Sequence, residues 1–257
     1  MGGDNAPDIV IRGASSSLKA NSNLFFNFFG DEFLLKNLIK KYNISSSKYK
    51  IFHTIHKISS EEKPSIALRK GTKSSMRLAI NSVKNGESDA VVSAGNTGAL
   101  MAMSKIVLRP LESIDRPAIV SFVPNKKGGA TVMLDMGANI ECNSDILYQF
   151  AIMGHAFAKI ALKIDKPKIG LLNVGSEDLK GSDAVKSAAL LIKDSQIADN
   201  FYGYVEGDDI AKGTVDVVVT DGFSGNITLK AIEGTAKMIS SYLKEGFKRT
   251  IFSKIGY

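Results

Sequence analysis

Short apolar runs at 24–29, 90–92, 131–134, 169–172 and 215–219 are each followed by Gly, Asn or Asp and then by a helical pattern, and this repeated strand-then-helix alternation leaves few folds open. Strands joined by crossover helices are covered on both faces, so they read as continuous apolar stretches rather than as alternating ones. Val215-Asp216-Val217-Val218-Val219 has this β-branched character. The pattern predicts a mostly parallel sheet, with helices over 32–42, 66–84, 99–107, 144–163, 183–193 and 227 to about 252.

No repeat, low-complexity tract or Pro-rich linker interrupts the 257 residues, so the chain reads as a single domain over 1–257. The glycine-rich turn Met1-Gly2-Gly3-Asp4-Asn5-Ala6-Pro7 has no strand before it, and the last residues end on a long helical pattern without a closing strand. The expectation is a domain incomplete at both ends. Cys142 is the only cysteine, which excludes an internal disulfide framework and fits a reducing compartment. No apolar stretch reaches the roughly 20 residues of a membrane helix. The net charge of +7 favours an anionic partner, surface or substrate. Nucleic acid is a poor candidate, because the basic residues are dispersed and no zinc-ligand spacing or ribonucleoprotein-type aromatic motif occurs.

In an open parallel sheet ligands bind beyond the carboxyl ends of the strands. Loops of small polar residues stand there: Ser93-Ala94-Gly95-Asn96-Thr97-Gly98, Asp135-Met136-Gly137-Ala138-Asn139, Asn173-Val174-Gly175-Ser176-Glu177-Asp178 and Thr220-Asp221-Gly222-Phe223-Ser224-Gly225-Asn226. Successive glycine-rich N–H groups leading into a helix can converge on phosphate, although each loop alone is equally a capped strand-to-helix turn. None matches a nucleotide-binding G-x-x-x-x-G-K-[ST] or G-x-G-x-x-G pattern. Lys180 follows the acidic turn at 176–179, from which its amine could serve a phosphate or a developing oxyanion. Asp135 and Asp221 at strand ends can orient amides, bind a cation or act as a base, orientation being the simplest role. No G-x-S-x-G elbow is present, and His53, His56 and His155 read as structural. Neither a metal nor a cofactor is expected.

These motifs, taken in order, resemble the phosphate acyltransferases of bacterial glycerophospholipid synthesis, also called acyl carrier protein–phosphate transacylases. The resemblance rests on residues 1–7, Ser93-Ala-Gly-Asn-Thr-Gly-Ala-Leu-Met-Ala102, Leu134-Asp-Met-Gly-Ala-Asn139, Leu172-Asn-Val-Gly-Ser-Glu-Asp-Leu-Lys-Gly181 and Asp216-Val-Val-Val-Thr-Asp-Gly-Phe-Ser-Gly-Asn-Ile-Thr-Leu-Lys230. It implies a Rossmann-like three-layer α/β/α sandwich, a cytoplasmic homodimer, acyl carrier protein and inorganic phosphate as substrates, and acyl phosphate passed to a glycerol-3-phosphate acyltransferase. Arg69-Lys70-Gly71-Thr72-Lys73 departs from the family's lysine pattern at Gly71 and Thr72.

Phosphate is already a nucleophile at neutral pH, so attack on a thioester requires positioning and oxyanion stabilisation rather than a covalent intermediate. The expected phosphate and substrate residues are Gly3, Asp4, Asn5, Ser93, Gly95, Asn96, Thr97, Gly98, Asp135, Asn139, Asp221, Gly222, Ser224 and Gly225, with Lys180 and Asn226 stabilising developing charge. A phosphotransacetylase-like enzyme using acetyl-coenzyme A, and a non-catalytic anion- or nucleic-acid-binding protein, are the alternatives. Finally, Ile232, Ala236, Ile239, Leu243, Phe247, Ile251 and Ile255 form one helical stripe beside Lys244, Lys248 and Arg249. That stripe reads as a core helix, or its distal half as a docking surface for acidic carrier protein or for anionic lipid at the inner face of the membrane, and the two are compatible.

Overall fold

The structure is a computed structural model in which residues 1–248 are described, with side chains through 247. Where the sequence reads as one domain, the contacts group into two compact units, Met1–Glu112 and Ser113–Tyr257.

The first unit runs α1 (Asp8–Ala20), β1 (Phe26–Gly30), α2 (Glu32–Lys41), β2 (Tyr49–His53), α3 (Pro64–Lys70), α4 (Ser75–Lys84) and α5 (Thr97–Leu108). β1 and β2 form a two-stranded parallel sheet. Ile11, Ala14, Phe28, Leu35, Ile39 and Ile44 pack α1 and α2 onto it, while Ile58, Ala67, Met76, Ile80, Ala99, Met103 and Val107 join α3, α4 and α5. The helix expected over 66–84 is two helices. Gly71 N–H closes α3 on the Ala67 carbonyl, and the buried Ser74 hydroxyl donates to Gly71 O at 2.6 Å while accepting from Arg77 N–H to start α4. A hydroxyl that satisfies both the end of one helix and the start of the next outweighs the unbroken helical periodicity. The run at 90–92 forms no strand, and Val92 is exposed.

The second unit runs β3 (Val120–Pro124), β4 (Ala130–Leu134), α6 (Ser144–Ala161), β5 (Ile169–Leu172), α7 (Asp183–Lys193), β6 (Phe201–Val205), α8 (Gly207–Lys212), β7 (Val217–Val219) and α9 (Gly222–Lys248). Its sheet has the order β3-β4-β7-β5-β6, parallel throughout except for the β3–β4 hairpin. Val132, Leu134, Val217 and Val219 face Ile146, Phe150 and Ala188 of α6 and α7. The alternate residues Met133 and Val218 face Ile210 of α8 and Leu229 of α9. Both faces are therefore covered, which is why these strands are apolar along their whole length. The long helix α9 begins five residues before the predicted start. From residue 234 to 247 its residues are all exposed in this chain, so the core-helix alternative does not hold there. Arg249, Ile251 and Ile255 lie outside the described residues.

Candidate functional site

Because β4, β7 and β5 are adjacent and parallel, the loops at 135–139, 220–226 and 173–181 leave the same edge of one sheet, the 220–226 loop between its neighbours. The loop at 93–98 belongs to the first unit.

In that second-unit cluster the two strand-end aspartates take the orienting role, the simplest of those open to them. Asp135 is fully buried, and its two carboxylate oxygens accept five hydrogen bonds. Oδ1 takes the N–H groups of Ile119 (2.9 Å), Gly137 (3.2 Å) and Ala138 (3.0 Å), and Oδ2 takes Asn139 N (2.7 Å) and Nδ2 (2.9 Å). The amides that could have cradled phosphate in this loop thus face a carboxylate of the chain itself. Asn139 also donates from Nδ2 to Pro117 O at 2.8 Å, and its own carbonyl accepts Gly222 N–H at 2.7 Å. Asp221 caps α9, accepting Ser224 N–H at 2.7 Å and contacting Ser224 Oγ at 3.2 Å. Gly222 and Gly225 serve packing: a Cβ on Gly225 would meet the Asp135 backbone oxygen at 1.9 Å, and one on Gly222 would meet Asn139 O at 2.6 Å. Asn226 is exposed one helical turn into α9, beside the Gly137 backbone.

On the neighbouring loop Lys180 Nζ pairs with Glu177 at 2.7 Å, an exposed contact that holds the ammonium above the ordinary lysine range and the Glu177 carboxyl below its own. Asn173 is a positioning residue absent from the expected set. Its Nδ2 donates to Gly175 O (3.1 Å) and Lys180 O (3.0 Å), folding the loop back on itself. The signal available in sequence was an Asn immediately after a strand, which fits any turn.

The first unit repeats the theme. Asn96 Oδ1 accepts Ala99 N–H at 2.9 Å to cap α5, and its Nδ2 donates to the carbonyls of Ser59, Ser60 and Glu62. Ser60 Oγ in turn lies 3.1 Å from Gly2 O and 3.2 Å from Asp4 Oδ1. Ser93 Oγ accepts Gly95 N–H at 3.2 Å. Gly3 packs against the 93–98 loop, where a Cβ would come within 2.2 Å of Ala94 O. Thr97 and Gly98, both exposed, form the first turn of α5, the end of a helix whose free N–H groups suit an anion. Asn5 lines a separate cavity of about 450 Å³ with Asp8 and Arg12.

Cys142 lines a cavity of about 530 Å³ with Asp115, Arg116, Glu141, Asn143 and Ile146. Burial, aided by the negative charge of Asp135, pushes its thiol up to about 11. His53 Nδ1 accepts Glu32 N–H at 3.2 Å, a structural role. Among the described residues no group of His, Cys, Asp and Glu is placed to hold a metal, and no helix is long and apolar enough to cross a membrane.

The chain has an α/β fold in which glycine-rich loops gather at the carboxyl edge of a mostly parallel sheet. The family profile described as fatty acid synthesis protein matches residues 1–257. Phosphate acyltransferases of Paramagnetospirillum magneticum and Rhodospirillum centenum are each 52% identical to all of this chain, which spans 73% and 72% of their respective lengths. The phosphotransacetylase of Streptococcus pyogenes shares the fold with a TM-score of 0.65 at 20% identity, over 91% of this chain and 80% of that one. The EutD phosphotransacetylase of Staphylococcus aureus does so at 0.63 and 18%, over 90% and 80%. The chain belongs to the phosphate acyltransferase family, within the proteins of fatty acid synthesis.

Proposed function

We propose that this chain transfers a fatty acyl group from acyl carrier protein to inorganic phosphate. A phosphate oxygen attacks the thioester carbonyl, the C–S bond breaks, and the products are acyl phosphate and the free carrier thiol. The observation that carries this reading is identity of about half to named phosphate acyltransferases across the whole chain. The phosphotransacetylase alternative is supported at 18–20% identity by fold alone.

Within the second unit, the Lys180 ammonium on the loop after β5 and the exposed Asn226 amide in the first turns of α9, which follows the adjacent β7, are the groups suited to developing negative charge. Asp135, Asn139, Asp221 and Gly225 build the frame on which Asn226 stands. In the first unit the α5 N-terminus, with Thr97 and Gly98, is an anion-binding end in its own right.

The finer reading includes a homodimer, which the exposed Met238, Ile239, Tyr242 and Leu243 of α9 favour, because an apolar helical surface of this kind ordinarily meets a partner. It also includes delivery of acyl phosphate to a glycerol-3-phosphate acyltransferase, and docking of carrier protein or anionic lipid near Lys244 and Lys248. The deciding experiment incubates the protein with inorganic phosphate and either long-chain acyl carrier protein or acetyl-coenzyme A. Acyl phosphate and free thiol, read by mass spectrometry, are expected from the carrier substrate. Product from acetyl-coenzyme A alone would favour the alternative.

A further inference from the structure

We propose that Asp135 is a positioning residue: its carboxylate, and not bound phosphate, fills the amide nest of the 137–139 turn and thereby fixes the N-terminus of α9 that carries Asn226. The inference deepens the acyl-transfer reading and rests on it.

Asp135 follows the last residue of β4, a central strand, and is fully buried, so its position is set by the sheet. A buried carboxylate is costly unless all its lone pairs are engaged. Here five donors engage them, three on Oδ1 and two on Oδ2. Four are main-chain N–H groups, so the carboxylate dictates the path of the backbone through Gly137, Ala138 and Asn139 as well as that of Ile119. The path is passed on by two contacts. Asn139 O accepts Gly222 N–H at 2.7 Å, which fixes the first residue of α9. Asp135 O lies where only a glycine at 225 can approach. Gly137 in turn faces Asn226: a Cβ there would lie 3.4 Å from Asn226 Cβ. The backbone that carries Asn226 is thus held by two close approaches, at Gly222 and at Gly225, that lead back to one carboxylate, and the side-chain-free Gly137 leaves room beside it. An external phosphate has no vacant amide in this turn, because each of the three N–H groups already donates to Asp135.

The test compares the full chain with Asp135→Asn and Asn139→Ala. The asparagine keeps the shape but turns an NH₂ toward donors that need an acceptor; the alanine keeps the main-chain nest and removes the Nδ2 bonds to Asp135 and Pro117. With acyl carrier protein as donor, Asp135→Asn should lower kcat about 100-fold while leaving the phosphate KM within about twofold of wild type, since a displaced charge-stabilising group loses rate without losing ground-state binding. Asn139→Ala should show the same split to a smaller degree. Cys142, the sole cysteine, gives a readout independent of turnover. Its thiol donates to Asn139 O at 3.7 Å and feels the Asp135 charge, so its alkylation-versus-pH midpoint should fall in Asp135→Asn.

Unchanged kcat in either folded variant, or a phosphate KM that rises in step with the loss of kcat, would overturn the proposal. So would an unmoved Cys142 midpoint in Asp135→Asn. Should Asp135→Asn not fold, the kcat-against-KM split in Asn139→Ala decides alone. Absence of acyl phosphate from the wild-type protein would instead sink the acyl-transfer reading, and the Cys142 titration would still judge the nest.

Discussion

Asp135, Asn96 and Asp221 are the residue types that bind ligands, yet here each spends its polar atoms on the protein's own backbone. The residues left to act are those whose side chains end without such partners or in loose ones. Lys180→Ala and Asn226→Ala should each lower turnover with the fold intact, by on the order of 100-fold to 1,000-fold if each supplies one donor to the developing oxyanion. Circular dichroism with steady-state rates checks both parts. For Gly225 the expectation from sequence alone was close approach to phosphate. The structure places the Asp135 carbonyl where a side chain would go, so Gly225→Val should depress the melting temperature before phosphate affinity can be read. Thermal denaturation of that variant beside Gly98→Val, where the nearest atom to a Cβ would be Pro64 Cγ at 2.9 Å rather than a backbone oxygen, should show the larger fall for Gly225→Val. Cys142 makes a pH prediction. A folded-state value of about 11, above the ordinary 9.0, leaves the thiol protonated near neutrality. Its alkylation at pH 8 should then be roughly 100-fold slower than that of a free cysteine, and should accelerate only as pH rises toward 11.

At the scale of elements, the helices and strands that sequence periodicity located well are those buried on one stripe or on both faces. β5 and α7 match the predicted bounds, because Ile169 and Leu171, and Ala188 and Ile192, point into one core. α1 is absent from the predicted helices: Ser15-Ser16-Ser17 is a run of weak helix formers, and Ile11 and Ala14, packed with Phe28 of β1, anchor the helix that contains it. Residues 90–92 fail as a strand for the opposite reason, having strand composition with no neighbour to pair with among the described residues. α9 carries the element-scale prediction. Replacing Lys244, Lys248 and Arg249 by Glu should raise the KM for acyl carrier protein far more than that for phosphate, with a difference that shrinks as salt screens the charges. Equal carrier affinity for wild type and triple variant at low salt would exclude docking there, and vesicle sedimentation judges anionic lipid separately.

For the whole molecule, the exposed apolar residues of α9 carry the dimer prediction. Leu243→Glu should convert a dimer to monomer in sedimentation velocity runs, because a charge placed in an apolar contact is left unpaired. An unshifted sedimentation coefficient would move the dimer contact elsewhere. The strand-helix alternation, the mostly parallel sheet, the loops where chemistry could sit and the family resemblance are legible in the residues alone, since all of these are written in local periodicity and in short motifs. Tertiary structure decided the division into two compact units, the order β3-β4-β7-β5-β6 that brings three of the loops to one edge, and the insertion of β7 between β4 and β5. It also decided which polar residues face outward and which are consumed within the protein. Asp135 shows why: whether a carboxylate awaits a ligand or holds a turn depends on five donors, one of them sixteen residues away, and no local pattern records how the chain brings them together.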